Sequence, residues 1–155
     1  MKKFLRENSP LACISILAAL FHFTNLTPYH IYPDTYQNII VAQNIQTYHH
    51  VVGSLGKDGQ VWPEYFGWTR PGYSLLILLG NIYTHNYFIA AQAITLLAGV
   101  LAIPVSYLLT NKITNRKYTA LCGAFMMALC ANYALWGGII LTEGVAILLI
   151  LLCLW

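Results

Sequence analysis

The sequence predicts an all-α, polytopic membrane protein with about four transmembrane helices and interfacial helices in a large first external loop. Three observations carry this. Of 155 residues, 58% are hydrophobic and only 8% are charged, against about 25% charged in an ordinary soluble domain. The apolar residues fall in long runs of the kind a bilayer requires. Lysine and arginine cluster at the ends of those runs instead of spreading over a surface. The net charge of +3 therefore reads as a topology signal. It is not the broad basic face of a nucleic-acid binder, and no nucleic acid is expected as a partner.

The first span is expected over residues 10–29. Lys2, Lys3 and Arg6 precede it, which places its start on the cytoplasmic side and its end outside. No small-x-small cleavage site follows Leu11–Phe23, so a retained anchor is expected over a signal peptide. Residues 30–86 then form the external loop. It holds Asp34, Lys57, Asp58, Glu64 and Arg70, with helix-breaking Gly53, Gly56, Gly59, Pro63, Gly67 and Pro71. Its first part is a short amphipathic helix carrying Tyr36, Ile39, Ile40, Ala42 and Ile45, suited to a membrane surface, with Asp34 at the capping position.

Residues 72–84 are apolar but reach only about 20 Å at 1.5 Å per residue, short of the roughly 30 Å hydrocarbon core. They read as an interfacial or re-entrant helix. A second span follows over 87–110, with Pro104 as a tolerated kink. It ends at Lys112, Arg116 and Lys117. If 72–84 does not cross, this basic cluster is cytoplasmic, as the positive-inside rule requires. The third span, 118–136, carries Ala120, Ala124 and Ala128, a small-residue face for close helix packing. Ala91, Thr95 and Gly99 repeat that pattern on the second span. Tyr133 and Trp136 suit the outer interface. A fourth span over 139–155 heads inward. It is still apolar at Trp155, so the sequence reads as the N-terminal fragment of a longer protein. Cys13, Cys122, Cys130 and Cys153 lie in apolar runs without metal-ligand spacing and are expected as buried small hydrophobes.

This topology puts Asp34 and Glu143 on one side of the membrane. Asp34 is a candidate general base, weighed against an ordinary helix cap. Glu143, flanked by apolar sequence, is a candidate second carboxylate, weighed against a solvated helix start. Arg70 has the forked geometry that binds phosphate, weighed against simple headgroup contact. Trp62, Tyr65, Phe66, Trp68 and Tyr73 form an aromatic cluster that interfacial anchoring explains. His22, His30, His49 and His50 form no recognisable ligand set. There is no nucleotide-binding glycine motif, P-loop or Ser-His-Asp pattern.

The ordered set Pro33-Asp34-Thr35-Tyr36, Arg70-Pro71-Gly72-Tyr73-Ser74-Leu75-Leu76, Asn111-Lys112-Ile113-Thr114-Asn115-Arg116-Lys117 and Leu141-Thr142-Glu143 resembles the opening of the GT-C glycosyltransferases. Within these it is similar to the protein O-mannosyltransferase and aminoarabinose transferase group, glycosyltransferase family 39-like. The resemblance implies a multi-pass protein of the bacterial inner or plasma membrane, active in cell-envelope glycosylation. The implied partners are a polyprenyl-phosphate-linked sugar donor, membrane lipids and an unidentified acceptor. The implied reaction is an inverting transfer on the outer or luminal face, with Asp34 as base, Glu143 as second acidic residue, Arg70 near the donor phosphate, and Tyr36 and Tyr73 as substrate contacts. Many relatives carry two adjacent acidic residues in the first loop. Here the second is Thr35, which leaves the use of a divalent metal open. The alternative reading is a membrane transporter or a flippase component for a lipid carrier, which would share the kinked spans and rare intramembrane charges.

Overall fold

The computed structural model describes residues 2–24, 33–49, 51, 71–130 and 142–155, with side chains from Ser9 in the first helix and from Tyr36 in the second. The described residues form six α-helices and no strand: α1 Lys2–Thr24, α2 Pro33–Tyr48, α3 Pro71–Thr84, α4 Tyr87–Thr114, α5 Lys117–Leu129 and α6 Thr142–Leu154. They divide into two compact units, residues 29–94 and residues 1–28 with 95–155.

Local chemistry accounts for the helix ends. Both α2 and α3 begin on a proline, Pro33 and Pro71. A first-turn proline has its φ already set and lacks only an N–H that would find no partner inside the helix. The Asn86 carboxamide oxygen caps α4, accepting from the backbone N–H of Phe88 at 2.9 Å and of Ile89 at 3.2 Å. His49, His85 and Asn115 end α2, α3 and α4 in the left-handed region, with φ of 58°, 51° and 51°. Their amides donate back to Ile45, Asn81 and Asn111, the usual way a helix closes its last carbonyls.

The 28 residues of α4 extend about 42 Å at 1.5 Å each, enough to cross a bilayer. It is the one helix among those described that is both long and apolar enough to do so. Pro104 lies inside it, as expected. The other apolar helices are shorter than the expected spans. In α1 the apolar part is Ser9–Thr24, while the helix itself starts at Lys2, eight residues before the expected span. The expected third span is described as helix only to Leu129, and the fourth from Thr142. The end of the first span, Tyr133, Trp136 and the start at Ile139 lie outside the described residues.

Within the unit formed by 1–28 and 95–155, α1 packs on α5. Ala18, Ile103, Tyr107, Ala120, Ala124 and Ala128 form the buried core, flanked by Leu11, Ile14 and Leu121. The three alanines of α5 thus do what their spacing predicts: with no bulk beyond Cβ, they let neighbouring helices approach closely. The contacts also set directions. His22, near the end of α1, meets Gly99 in the N-terminal half of α4, and earlier α1 residues share the core with Ile103 and Tyr107. α1 and α4 therefore run in opposite directions. Gly144 at the start of α6 faces Thr95, and Lys112 lies over the Trp155 ring at 5.4 Å, so α6 runs with α4. α5 returns from α4 through Asn115 and Arg116.

The cysteines depart from expectation. All four are free and exposed, while the buried positions are Ala18 and His22 on α1, Ala120, Ala124 and Ala128 on α5 and Gly144 on α6. A thiol on an outward face among Leu, Ile and Phe is at ease if that face meets lipid.

In the unit 29–94, α2 packs on α3. α2 buries Asn38 together with Val41 and Ala42, and α3 buries Tyr73, Ser74 and Ile77. The mixed character of the buried α2 face replaces the clean amphipathic split expected there. On α3 the inversion is plainer. Its buried face carries two hydroxyls, while Leu75, Leu76, Leu79, Ile82 and Tyr83 are exposed.

Candidate functional site

Asp34 is the second residue of α2, one position inside the helix where a cap was expected, because Pro33 takes the first helical position. A first-turn carboxylate sits in the favourable field of the helix N-terminus. Its side chain lies outside the described part. Two residues on, Tyr36 is exposed on the same helix. At the far end of α2, the Tyr87 hydroxyl donates to the Gln46 side-chain carbonyl, tying α2 to the start of α4.

Arg70 and the aromatic cluster Trp62–Trp68 lie outside the described residues, and so do His30 and His50. Arg70 directly precedes Pro71, the first residue of α3. Tyr73 follows in the first turn of α3. It is 5% exposed, and its hydroxyl donates to the Ala91 carbonyl of α4 at 3.2 Å. Tyr73 is thus a buried brace between α3 and α4, whereas Tyr36 is open.

Glu143 is the second residue of α6 and is exposed. The Thr142 hydroxyl lies 3.5 Å from its carboxylate. Asp34 and Glu143 are thus each the second residue of a helix, in separate units. The directions of the helices add one relation: within its unit, the start of α6 and the end of α1 lie at the same end, beside Thr95 and Gly99 of α4.

Among the described residues, no three His, Cys, Asp or Glu side chains come together as a metal site. One residue passed over in the sequence does stand out. His22 is completely buried, in the apolar part of α1. Its signal was there, a lone titratable residue in a membrane-type run, but it was hidden by grouping the histidines as a ligand set.

The family model for dolichyl-phosphate-mannose-protein mannosyltransferases matches residues 63–155. The chain belongs to this family. The match covers Arg70, Tyr73 and Glu143, the basic turn between α4 and α5, and all of α3 to α6; Asp34 and Tyr36 precede it. No curated protein and no solved structure matches the chain. Membership agrees with the GT-C resemblance and implies a glycosyltransferase, of mannosyltransferase type, embedded in a membrane.

Proposed function

We propose that the protein transfers mannose from a polyprenyl-phosphate donor to an acceptor hydroxyl, on a protein in the first instance, at the outer or luminal membrane face. The family match over 63–155 carries this reading. The mechanism is a single inverting displacement. The Asp34 carboxylate takes the proton of the acceptor hydroxyl as its oxygen attacks the anomeric carbon. The bond from that carbon to the phosphate oxygen breaks on the opposite face, and polyprenyl phosphate leaves with the electron pair. Arg70 stabilises the charge that grows on the phosphate. Glu143 orients the acceptor, and Tyr36, exposed on the same helix as Asp34, offers an open aromatic face to substrate. Tyr73 contributes from behind, by holding the start of α3 next to Arg70.

The membrane topology behind this reading draws support from the helix directions. If α1 and α4 both cross, their opposed directions require an even number of membrane crossings between them, none in the simplest case. α3, 14 residues or about 21 Å long, then dips into the bilayer without traversing it. Glu143 and the end of α1, ten residues before Asp34, then share the outer face.

The test is mannosyl transfer by the intact protein in lipid nanodiscs, supplied with radiolabelled polyprenyl-phosphate-mannose and an acceptor polypeptide. Asp34→Asn should lower kcat by about 10²- to 10⁴-fold, the usual contribution of a general base. Undiminished turnover in the folded variant would remove Asp34 from the reaction. Absence of transfer by the wild type from this donor would overturn the donor assignment.

A further inference from the structure

The basic residues Lys2, Lys3 and Arg6 and the basic residues Lys112, Arg116 and Lys117 stand far apart in the chain. The fold brings the helix positions that carry them to one end of the unit formed by 1–28 and 95–155. His22 of α1 meets Gly99 of α4. One turn back along α1, Ala18 shares the core with Ile103, one turn further along α4. The two opposed helices thus keep step. Continued at the same pitch for about 24 Å along each axis, the backbone of Arg6 comes level with Asn115. Asn115 makes the turn into α5 at a φ of 51°, between Lys112 and Arg116. α6 ends there as well: Lys112 lies over the Trp155 ring at 5.4 Å and donates to the Trp155 carbonyl.

Glu7 is the one acidic residue within these two basic segments. Gathering like charges at one end costs repulsion, which an anionic surface relieves. Arg116 and Lys117 are exposed, and apolar side chains stand among them: Ile113 is 74% exposed and Tyr118 83%. A soluble anion would use the cations and leave Ile113 and the Tyr118 ring in water. The headgroup level of a bilayer takes both. Lipid phosphates meet the cations, and the boundary with the acyl chains takes the apolar groups and the aromatic rings. Clusters of about four to eight Lys and Arg directly beyond a membrane helix bind anionic lipids in this way.

We propose that the end of this unit, formed by the start of α1 and the turn between α4 and α5, is a docking surface for the headgroups of anionic phospholipids. The positive-inside rule says on which side such residues settle; it assigns them no ligand. The surface requires only that α4 crosses the membrane, and it is independent of the residues assigned to mannosyl transfer.

The experiment reconstitutes the intact protein in vesicles of equimolar phosphatidylcholine and phosphatidylglycerol. The protein is then extracted in mild detergent at low or high salt, and both lipids still bound to it are measured. Phosphatidylglycerol should be retained in preference, by about fivefold for each cation engaged, the equivalent of roughly 1 kcal/mol per Lys or Arg. The preference should fall as salt shortens the screening length from about 10 Å at 0.1 M to about 3 Å at 1 M. Arg116→Gln/Lys117→Gln should lower it by about 5- to 25-fold. Lys57→Gln, in the segment between α2 and α3, should leave it unchanged. Equal retention of the two lipids by the wild type overturns the docking surface. So does a preference that high salt leaves intact, an unaltered preference in the folded double variant, or an equal loss in Lys57→Gln. Displacement of the phosphatidylglycerol by inorganic phosphate at matched ionic strength would make this a site for a soluble anion and overturn its assignment to lipid. If the double variant does not fold, Lys3→Gln/Arg6→Gln, from the other half of the surface, decides: a lowered preference supports the surface and an unchanged one overturns it.

Discussion

The two compact units of the chain bring helices together by different means. In the unit of 1–28 and 95–155 the contact is made by what is missing: Ala18, Ala120, Ala124 and Ala128 line the core, and Gly99 and Gly144 admit His22 and Thr95. In the unit 29–94, polar side chains are placed inside. Asn38 and Ser74 are 4% and 0% exposed, and the Tyr73 hydroxyl is spent on a carbonyl of α4. Where lipid replaces water outside, apolar area contributes little drive to helix association, and close backbone approach and interhelical hydrogen bonds carry it. Both halves bury polar side chains, His22 and Thr95 in one and Asn38 and Ser74 in the other, but the alanine seam belongs to the first and the Tyr73–Ala91 hydrogen bond to the second. The alanine-packed half suits a scaffold of long helices. The half with polar contacts carries Asp34 and the start of α3.

The largest expected effect tests the first device. Ala124→Phe puts a large ring where α5 is 0% exposed against its neighbours. Overpacking a tight core costs about 1–3 kcal/mol, and the alanine seam, which has no slack side chain to move aside, places this substitution at the upper end. The unfolding midpoint of the intact protein should fall clearly. Met126→Phe, two residues away on the outward face at 73% exposure, should leave it unchanged. Equal effects from the two would mean that the alanine seam is not what joins these helices.

A smaller effect is expected within the second unit, at a glycine. A Cβ on Gly80 would fall 3.1 Å from the Ala90 Cβ and 3.2 Å from the Ile94 Cδ1, so Gly80→Ala forces α3 away from α4. Gly72, at the start of the same helix, has nothing within 4 Å of an added Cβ. Gly72→Ala should therefore gain the helix-propensity difference, up to about 1 kcal/mol, while Gly80→Ala spends that gain on the clash and comes out neutral or destabilised. A stabilising Gly80→Ala would show that α3 and α4 are not held at this separation.

Much of this architecture was legible before any coordinates. Apolar runs located α3 and α4 to within a few residues at each end, while α1 starts well before its expected span and the prolines at 33 and 71, read as breakers or passed over, turn out to open two helices. The spacing of Ala120, Ala124 and Ala128 announced a packing face, because small residues four apart have one plain physical use in a membrane helix. Orientation was less legible. Nothing in the run Leu11–Phe23 shows that His22 turns onto Gly99, since the partner lies 77 positions away in the chain and the notch is an absent side chain. Pattern also misled where burial and polarity part company. The cysteines read as inward because their runs are apolar, yet on α5 the buried positions go to alanine, and on α2 and α3 they include polar residues beside Val41, Ala42 and Ile77. The candidate site was readable as residue types, an acidic residue near a helix start and an arginine before a Pro-Gly-Tyr turn. It was not readable as a constellation, because tertiary contacts decide which helix ends meet.

The smallest effect is also the most discriminating for the site. Tyr73 carries two expectations at once: the family resemblance makes it a substrate contact, and the geometry makes it a brace. Tyr73→Phe separates them. The phenyl ring keeps the packing, and the Ala91 carbonyl keeps its place in the α4 backbone ladder, so only the 3.2 Å side-chain hydrogen bond is lost. That loss is worth about 0.5–1.5 kcal/mol, a small fall in unfolding midpoint. A brace predicts no more than this, with KM for the lipid-linked donor unchanged. A substrate contact through the hydroxyl predicts the reverse: a raised KM at constant stability, which would require Tyr73 to leave Ala91 when the donor binds. Either result sharpens the contrast between the halves, because it shows whether the polar groups inside the unit 29–94 are fixed supports or a part of the site held in reserve.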